Sequence, residues 1–504
     1  MESDKIKKLY LPTLLVAASL FSFLPDALPA PRQTAADHFR KKMENILAHP
    51  CLKNNHYGIE VYSLEKKEVL FAAGNGDLFI PASNLKLITT AAALEYLGPD
   101  YRFITRLYSP GRLEGDTLFG DLYIKGFGDP KLVTEQMWLL VNALKGFPIK
   151  KIVGNILADD SFFDSRLRLK TWGKNPGPQA YNAPLGALSF NFNTVTVYIS
   201  PGLRSGERPR VIVEPDTPYV RVDNQARTLA RGEKPRLSVN RVHRGGHDEI
   251  TVRGGIPLGH SRKRYFINIT NPTEYTLHVF QDYLVRAGIE VVGKTGRGTV
   301  PGNARLLVTH RSEPLSLVLR GLNKFSNNLI AEQVLKTMAA ERFGPPGTTE
   351  NGLKIIREYM QSLGYADGQY RIVDGSGLSR QNRLSPGAII RVLKHVRKDL
   401  SLYPEFISAL GVMGVDGNVK KRMNGVKNSQ RARVKTGTLN SVSALSGYFQ
   451  SRDGELFAFS ILMNDLSCHN GQAMEIQDKI VQEGLKFQRG ENPGNPGITE
   501  SNGT

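Results

Sequence analysis

The sequence predicts an α/β (α+β) protein, an antiparallel sheet with helices, interrupted by a long and mainly β insertion. Three observations carry this. Residues 35–97 read as helix, strand hairpin and helix, and residues 305–487 as helices, three strands and a closing helix. Between them, over 96–304, short strands alternate with turns rich in Gly, Pro and Asn. The 504 residues are 40% hydrophobic and 22% charged, enough apolar material for more than one core.

The first helix is marked by Phe39, Met43, Ile46 and Leu47 at helical spacing. Tyr57–Tyr62 and Glu68–Phe71 alternate around the turn Ser63–Lys67. Pro81-Ala82-Ser83 leads into a helix over Asn84–Leu97, which Gly98-Pro99 stops. One helix, Thr273–Arg286, is expected within the insertion, which divides into two small mainly β units. Beyond it, 327–342 and 351–363 are amphipathic, Val434–Leu439 reads as a strand, and Asp453-Gly454 turns a hairpin between Ser446–Gln450 and Glu455–Met463. Ala473, Ile476, Ile480, Val481 and Leu485 mark the last helix, and 488–504 reads as a disordered tail. The parts 37–95 and 305–487 thus form one unit closed by both chain ends.

Lys5, Lys7 and Lys8 precede an apolar run, Leu9–Leu24, of 16 residues. That is short for a membrane span, which needs ~20 residues, so residues 1–30 read as an export signal or an uncleaved anchor. The body of the protein is then expected outside the cytoplasmic membrane, in the periplasm or on the membrane's outer face. The net charge of +19 favours anionic partners such as acidic wall polymers or a lipid surface, the latter by peripheral association. No zinc-finger spacing, RNP-type aromatic motif or long basic run points to nucleic acid. Cys51 and Cys468 are the two cysteines, and a bond between them would require the chain ends to meet. The histidines are scattered, and His243 and His247 flank two glycines, so no metal or other cofactor is expected.

Three short motifs bear on chemistry: S-x-x-K, S-x-N and K-T-G. Each is weak alone; with Ser and Lys each near ~6–7% of residues, S-x-x-K should occur about twice by chance. Ser63-Leu64-Glu65-Lys66 falls in the hairpin turn and reads as exposed. Ser83-Asn84-Leu85-Lys86 opens a helix, where positions i and i+3 share a face, so the lysine can take the serine's proton. Of the S-x-N copies, Ser189-Phe190-Asn191 reads as strand, whereas Ser326-Asn327-Asn328 sits in a polar loop before a helix. Lys435-Thr436-Gly437-Thr438 lies on a strand among strands, where a small residue would let a substrate backbone pair along the edge. Lys294-Thr295-Gly296 ends a stretch, Gly288–Thr295, that fits the phosphate-loop pattern. A helix precedes it and Pro301 follows, the wrong context for a nucleotide site.

Together with Gly126–Pro130, Asp159–Asp164, Tyr181–Pro184, Asp374–Arg380 and Lys435–Tyr448, these motifs resemble the D-Ala-D-Ala carboxypeptidase/endopeptidase family of low-molecular-mass penicillin-binding proteins with a large insert. The resemblance spans most of 40–487. It implies a serine β-lactamase/transpeptidase-like fold split by inserted domains, in keeping with the 240 positions between Lys86 and Ser326. It implies peptidoglycan stem peptides as substrates and β-lactam antibiotics as covalent inhibitors. Ser83 would be the nucleophile, Lys86 its base, Ser326 a proton relay and Asn328 a positioning group. Lys435, Thr436 and Thr438 would bind the terminal carboxylate, and the amides of Ser83 and Thr438 would form the oxyanion hole. For Lys86 to act near pH 7 its proton affinity must fall from ~10.4 to ~7–8, a cost of about 4 kcal/mol, here ascribed to burial and to Lys435 as a second cation. Asp374–Arg380 receives no catalytic role. Two rival readings remain on the same fold: a β-lactamase, against which stands the lack of an E-x-x-L-N segment, and a non-catalytic wall-binding protein, against which stand the intact motifs.

Overall fold

The computed structural model describes residues 34–52, 56–173 and 177–490. The expected signal over 1–30 and the tail beyond 490 lie outside the described residues.

Helix α1 (Ala35–Leu47) is followed by strands β1 (His56–Ser63) and β2 (Glu68–Ala73) and by helix α2 (Lys86–Leu97). After the insertion come α3 (Leu315–Lys324), α4 (Asn328–Phe343), α5 (Thr349–Ser362), α6 (Pro386–Arg397) and α7 (Tyr403–Ala409). Strands β3 (Gly411–Val412), β4 (Ala432–Leu439), β5 (Val442–Gln450) and β6 (Leu456–Asn464) precede the last helix, α8 (Asn470–Lys486). All six strands join one antiparallel sheet in the order β3-β4-β5-β6-β1-β2, so the first hairpin docks against the last strand.

The strands β1, β5 and β6 are apolar on both faces because helices cover both. Ala444 and Tyr448 point to one face, toward α2 and the helices α3 to α7. Leu445 and Phe449 point to the other, toward α1 and α8. On that second face Phe39 meets Phe487 edge-on at 5.5 Å, and Lys42 pairs with Glu483 at 2.8 Å. Cys51 and Cys468 are joined there by a disulfide, with Cα atoms 5.5 Å apart across 417 positions of sequence.

The insertion leaves and returns along one ladder. Arg102–Ser109 pairs antiparallel with Arg305–Pro314, and both belong to a five-stranded sheet with 122–126, 156–159 and 295–297. Residues 305–314, assigned by sequence to the second half of the α/β part, therefore hydrogen-bond within the insertion; their alternating pattern cannot reveal which strand will pair with them. A second helix, Thr134–Leu144, also lies in the insertion, where sequence suggested one; its apolar face meets the helix Pro272–Arg286 in a core separate from the catalytic one. Smaller sheets complete the insertion. Among the described residues, no helix is long and apolar enough to cross a membrane.

Candidate active site

Ser83 sits in a 3₁₀ turn, Ala82–Leu85, that runs directly into α2. The approach to it is clamped. Asn464 accepts from the Ile80 amide at 2.7 Å and donates to the Ile80 carbonyl at 3.1 Å. Buried Asn84 donates to Ser446 Oγ at 2.6 Å, which fixes the turn to β5. Ala82 has φ +46°, a conformation that costs roughly 1–2 kcal/mol for a residue with a side chain. Its carbonyl lies so close to Gly377 that a methyl group there would stand 1.9 Å away. These restraints leave the Ser83 hydroxyl at the cleft surface while Lys86 is fully buried behind it.

Lys86 Nζ makes three contacts: Ser83 Oγ at 3.0 Å, Asn328 Oδ1 at 2.7 Å and the Ser376 carbonyl at 2.5 Å. Burial lowers its pKa from 10.5 to about 7, against an opposing pull from Asp374 and Glu332. The ammonium form is thus disfavoured by about 5 kcal/mol relative to water. Lys86 can accept the serine's proton near neutral pH.

Lys435 is also fully buried, and its Nζ donates to Ser326 Oγ at 2.9 Å and to the Thr436 carbonyl at 2.7 Å. Burial, and then the charge of Lys86, push its pKa well below the ordinary lysine value. Burial is the first cause that lowers Lys86, and repulsion between the two ammoniums disfavours the proton of either lysine while the other is charged.

The S-x-N residues split their tasks. Ser326 takes φ +58° where the chain turns from α3 into α4. Asn327 caps α4 by accepting from the Ile330 amide at 3.1 Å. Asn328, the first residue of α4, bonds Lys86 through its oxygen and the Tyr181 carbonyl through its nitrogen, at 2.9 Å.

On β4, Lys435 pairs with Ser446 and Gly437 with Ala444 of β5. β3 covers only Arg433 and Val434 on the far side, so no described strand pairs with residues 435–439 there. The edge that a substrate could use is open. Packing gives Gly437 a further reason: a methyl group there would lie 2.9 Å from the Pro81 carbonyl and 3.0 Å from the Ser83 amide nitrogen. Glycine at this position lets the turn that carries Ser83 pack on the strand.

Ser83, Ser326, Asn328, Thr436 and Thr438 line one cleft of about 460 Å³ with Tyr181, Phe325, Gly377, Asn418 and Leu439. The geometry therefore brings Ser83, Ser326, Asn328, Thr436 and Thr438 to one surface, with Lys86 and Lys435 buried behind it and Gly437 packed against the Ser83 turn. It adds three groups to which the sequence reading gave no role. The Ser376 carbonyl is a backbone atom that any residue supplies. Tyr181 and Trp172 come from the insertion, and Trp172 Nε1 donates to Asp374 at 3.0 Å. Asp374 also accepts from the amides of Gly377 and Ser379 and from Asn382 Nδ2, at 2.7–2.9 Å, so the segment Asp374–Arg380 shapes the floor of the site.

The decoys fall elsewhere. Ser63 is buried, not exposed, because Glu455 arrives from the distant hairpin to accept its hydroxyl; Lys66 stays on the surface. Ser189 and Asn191 lie in a buried bend and a 3₁₀ turn ahead of the strand Thr194–Ser200, not in the strand itself. Gly288–Thr295 runs into the strand Thr295–Arg297, so no helix N-terminus faces a phosphate. His243 Nδ1 lies 3.0 Å from Asp248.

A model of the D-Ala-D-Ala carboxypeptidase 3 (S13) family matches residues 39–484. The chain belongs to that family. The S13 chain is 33% identical over 460 residues to the D-alanyl-D-alanine carboxypeptidase of Actinomadura sp. (strain R39), covering 88% of this chain and 83% of that one. It is 26% identical to the D-alanyl-D-alanine carboxypeptidase DacB of Haemophilus influenzae, over 85% of this chain and 90% of that one. The crystal structure of penicillin binding protein 4 from H. influenzae superposes with a TM-score of 0.77 at 26% identity, covering 88% of this chain and 99% of the other. The S13 chain is accordingly a serine-type D-Ala-D-Ala carboxypeptidase of the α+β fold that this neighbour shares.

Proposed function

We propose that this enzyme removes the terminal D-alanine from peptidoglycan stem peptides through an acyl-enzyme on Ser83. The observation that carries the reading is the contact between Ser83 Oγ and a fully buried Lys86 whose pKa is lowered to about 7.

In this reading the terminal D-Ala carboxylate binds at Lys435, Thr436 and Thr438. The carboxylate raises the proton affinity of Lys435 and keeps it cationic. Ser83 Oγ attacks the carbonyl between the two alanines as its proton passes to Lys86 Nζ. The oxyanion sits between the amides of Ser83 and Thr438. Ser326, held by Lys435, hands its proton to the departing amine as it takes up the one that Lys86 carries, so the C–N bond breaks with Lys86 neutral again. Asn328 holds Lys86 and the substrate amide. Water then attacks the ester, its proton goes to Lys86, and Ser83 is released with its proton.

A β-lactam presents a strained amide and a carboxylate to the same groups, so it acylates Ser83. The names of relatives agree with this: penicillin binding protein 4 of H. influenzae, and the penicillin-sensitive carboxypeptidase A of Dictyostelium discoideum at 27% identity. The substrate places the enzyme outside the cytoplasmic membrane, in the periplasm or on the membrane's outer face. The insertion, in this reading, is made of separate domains that wall the cleft through Tyr181.

Labelling with a fluorescent penicillin tests the assignment. Ser83→Ala should abolish labelling and release of D-alanine, while Ser63→Ala should keep both. Labelling of the Ser83→Ala protein would overturn the reading.

A further inference from the structure

One buried carboxyl takes no part in the reaction just described. Glu332 is fully buried on α4, one turn beyond Asn328, so both side chains share a helical face. Its Oε1 accepts from two successive amides, Gly375 at 2.9 Å and Ser376 at 2.8 Å. Its Oε2 has no hydrogen-bond partner among the described residues. The Ser376 residue so held turns its carbonyl to Lys86 Nζ at 2.5 Å. The Gly375 carbonyl is pinned by Thr89 Oγ1 at 2.7 Å, one turn beyond Lys86 on α2.

Helix α4 thus reaches the base by two routes. Asn328 touches it directly, and Glu332 reaches it through one stretch of backbone. We propose that Glu332 is a positioning residue for the reaction, whose Oε1 fixes residues 375–376 and so aims the Ser376 carbonyl at Lys86. The inference rests on Lys86 being the base.

The role belongs to an acceptor oxygen, not to a charge. An ionised Glu332 beside Lys86 would hold the lysine protonated and work against its use as a base. Burial, and then the neighbouring Asp374, push the Glu332 carboxyl up, toward its neutral form, against the hydrogen bonds from Ser376 and Gly375 and the charge of Lys86. The charged or titratable groups that face Glu332 are Asp374 on the loop and Lys86 on α2. With Oε1 as acceptor and no net charge, the loop is held while the base stays free to take a proton.

Two variants separate acceptor from charge. Glu332→Gln keeps the acceptor at the same reach, and Glu332→Asp keeps the carboxyl but withdraws it by one methylene. Both are measured for acylation by fluorescent penicillin and for kcat and KM of D-alanine release across pH 5–9, with folding checked by thermal melting. Glu332→Gln should retain acylation within about threefold, with the acid limb of its pH profile in place. Glu332→Asp should lose roughly thirtyfold in kcat with KM within about threefold, because misplacement of a catalytic group costs rate more than binding. Its acid limb should move to lower pH, since a displaced carbonyl no longer favours the ammonium form of Lys86. The proposal is overturned if Glu332→Gln falls as far as Glu332→Asp, or if Glu332→Asp behaves as the wild type. Labelling that survives Ser83→Ala in the same experiment would instead remove the reading of the site on which the inference stands.

Discussion

Gly437 backs onto Ser83: a methyl group at Gly437 would lie 3.0 Å from the Ser83 amide nitrogen and 2.9 Å from the Pro81 carbonyl. Neither neighbour is a flexible side-chain end, so the backbone itself must shift. Gly437→Ala should therefore displace the amide proposed for the oxyanion hole. The expected loss in acylation rate is about tenfold or more, with a stability cost of roughly 1–3 kcal/mol. Stopped-flow acylation and thermal melting measure the two separately, and an unchanged acylation rate would show that this amide is not used.

The pH profile should report Lys86. Its folded pKa is lowered, so the neutral and active form appears as pH rises through about 7. Acylation should fall about tenfold per pH unit below that value. The sign for stability is the same: the unfolded chain binds this proton more firmly, so the group contributes stability that grows from pH 7 toward 10. A rate flat from pH 5 to 8 would exclude Lys86 as the base.

Lys435 should act through binding. Its proton is held weakly in the free enzyme, by burial and by Lys86. The KM for a peptide with a free terminal carboxylate should thus rise as pH rises, over a range in which neutral Lys86 keeps kcat from falling. Lys435→Gln should raise KM at neutral pH by tenfold or more, given the roughly 2–5 kcal/mol at stake in a buried charge pair. An amidated peptide should lose this dependence.

Trp172→Phe removes one of the donors to Asp374 and keeps an aromatic ring, though a smaller one. The remaining donors should hold the loop, so a loss of about 1–2 kcal/mol in stability is expected with activity reduced only a few-fold. Asp374→Ala unpairs the whole loop and should reduce acylation far more. Equal effects of the two would mean that the insertion, not the loop, sets the site.

The disulfide between Cys51 and Cys468 joins segments 417 positions apart beneath the sheet face that carries α1 and α8. Cys51→Ser with Cys468→Ser should lower stability by roughly 2–5 kcal/mol while leaving acylation at 25 °C intact, because Ser83 lies in the turn that enters α2 on the opposite face. Mass measurement without reductant and melting curves check this.

What could be read from the sequence follows from how local each feature is. Ser83 and Lys86 share a helix turn, and Lys435 to Thr438 lie on one strand, so spacing and period alone place them. The hairpin at Asp453-Gly454 and α8 were legible for the same reason. The Ser376 carbonyl was not, since a backbone acceptor carries no residue signature. Glu332 looks like an ordinary polar position of α4 until the loop at 375–376 folds over it. Ser63 seemed exposed because Glu455, which buries it, lies 392 positions away. The ladder that ties Arg305–Pro314 to Arg102–Ser109 was not legible, because it joins segments roughly two hundred positions apart.

The ladder between Arg102–Ser109 and Arg305–Pro314 carries a consequence for ancestry and for engineering. Ser109 and Arg305 are register partners, so the chain at these two points is separated by no more than adjacent strands. A short turn could close that gap, and some two hundred residues could be gained or lost in one genetic event without rethreading the sheet. Yet Tyr181 holds Asn328 and Trp172 holds Asp374. A passenger that topology would let go has become a working wall of the cleft, and a minimal enzyme cut at this ladder must first find substitutes for those two hydrogen bonds.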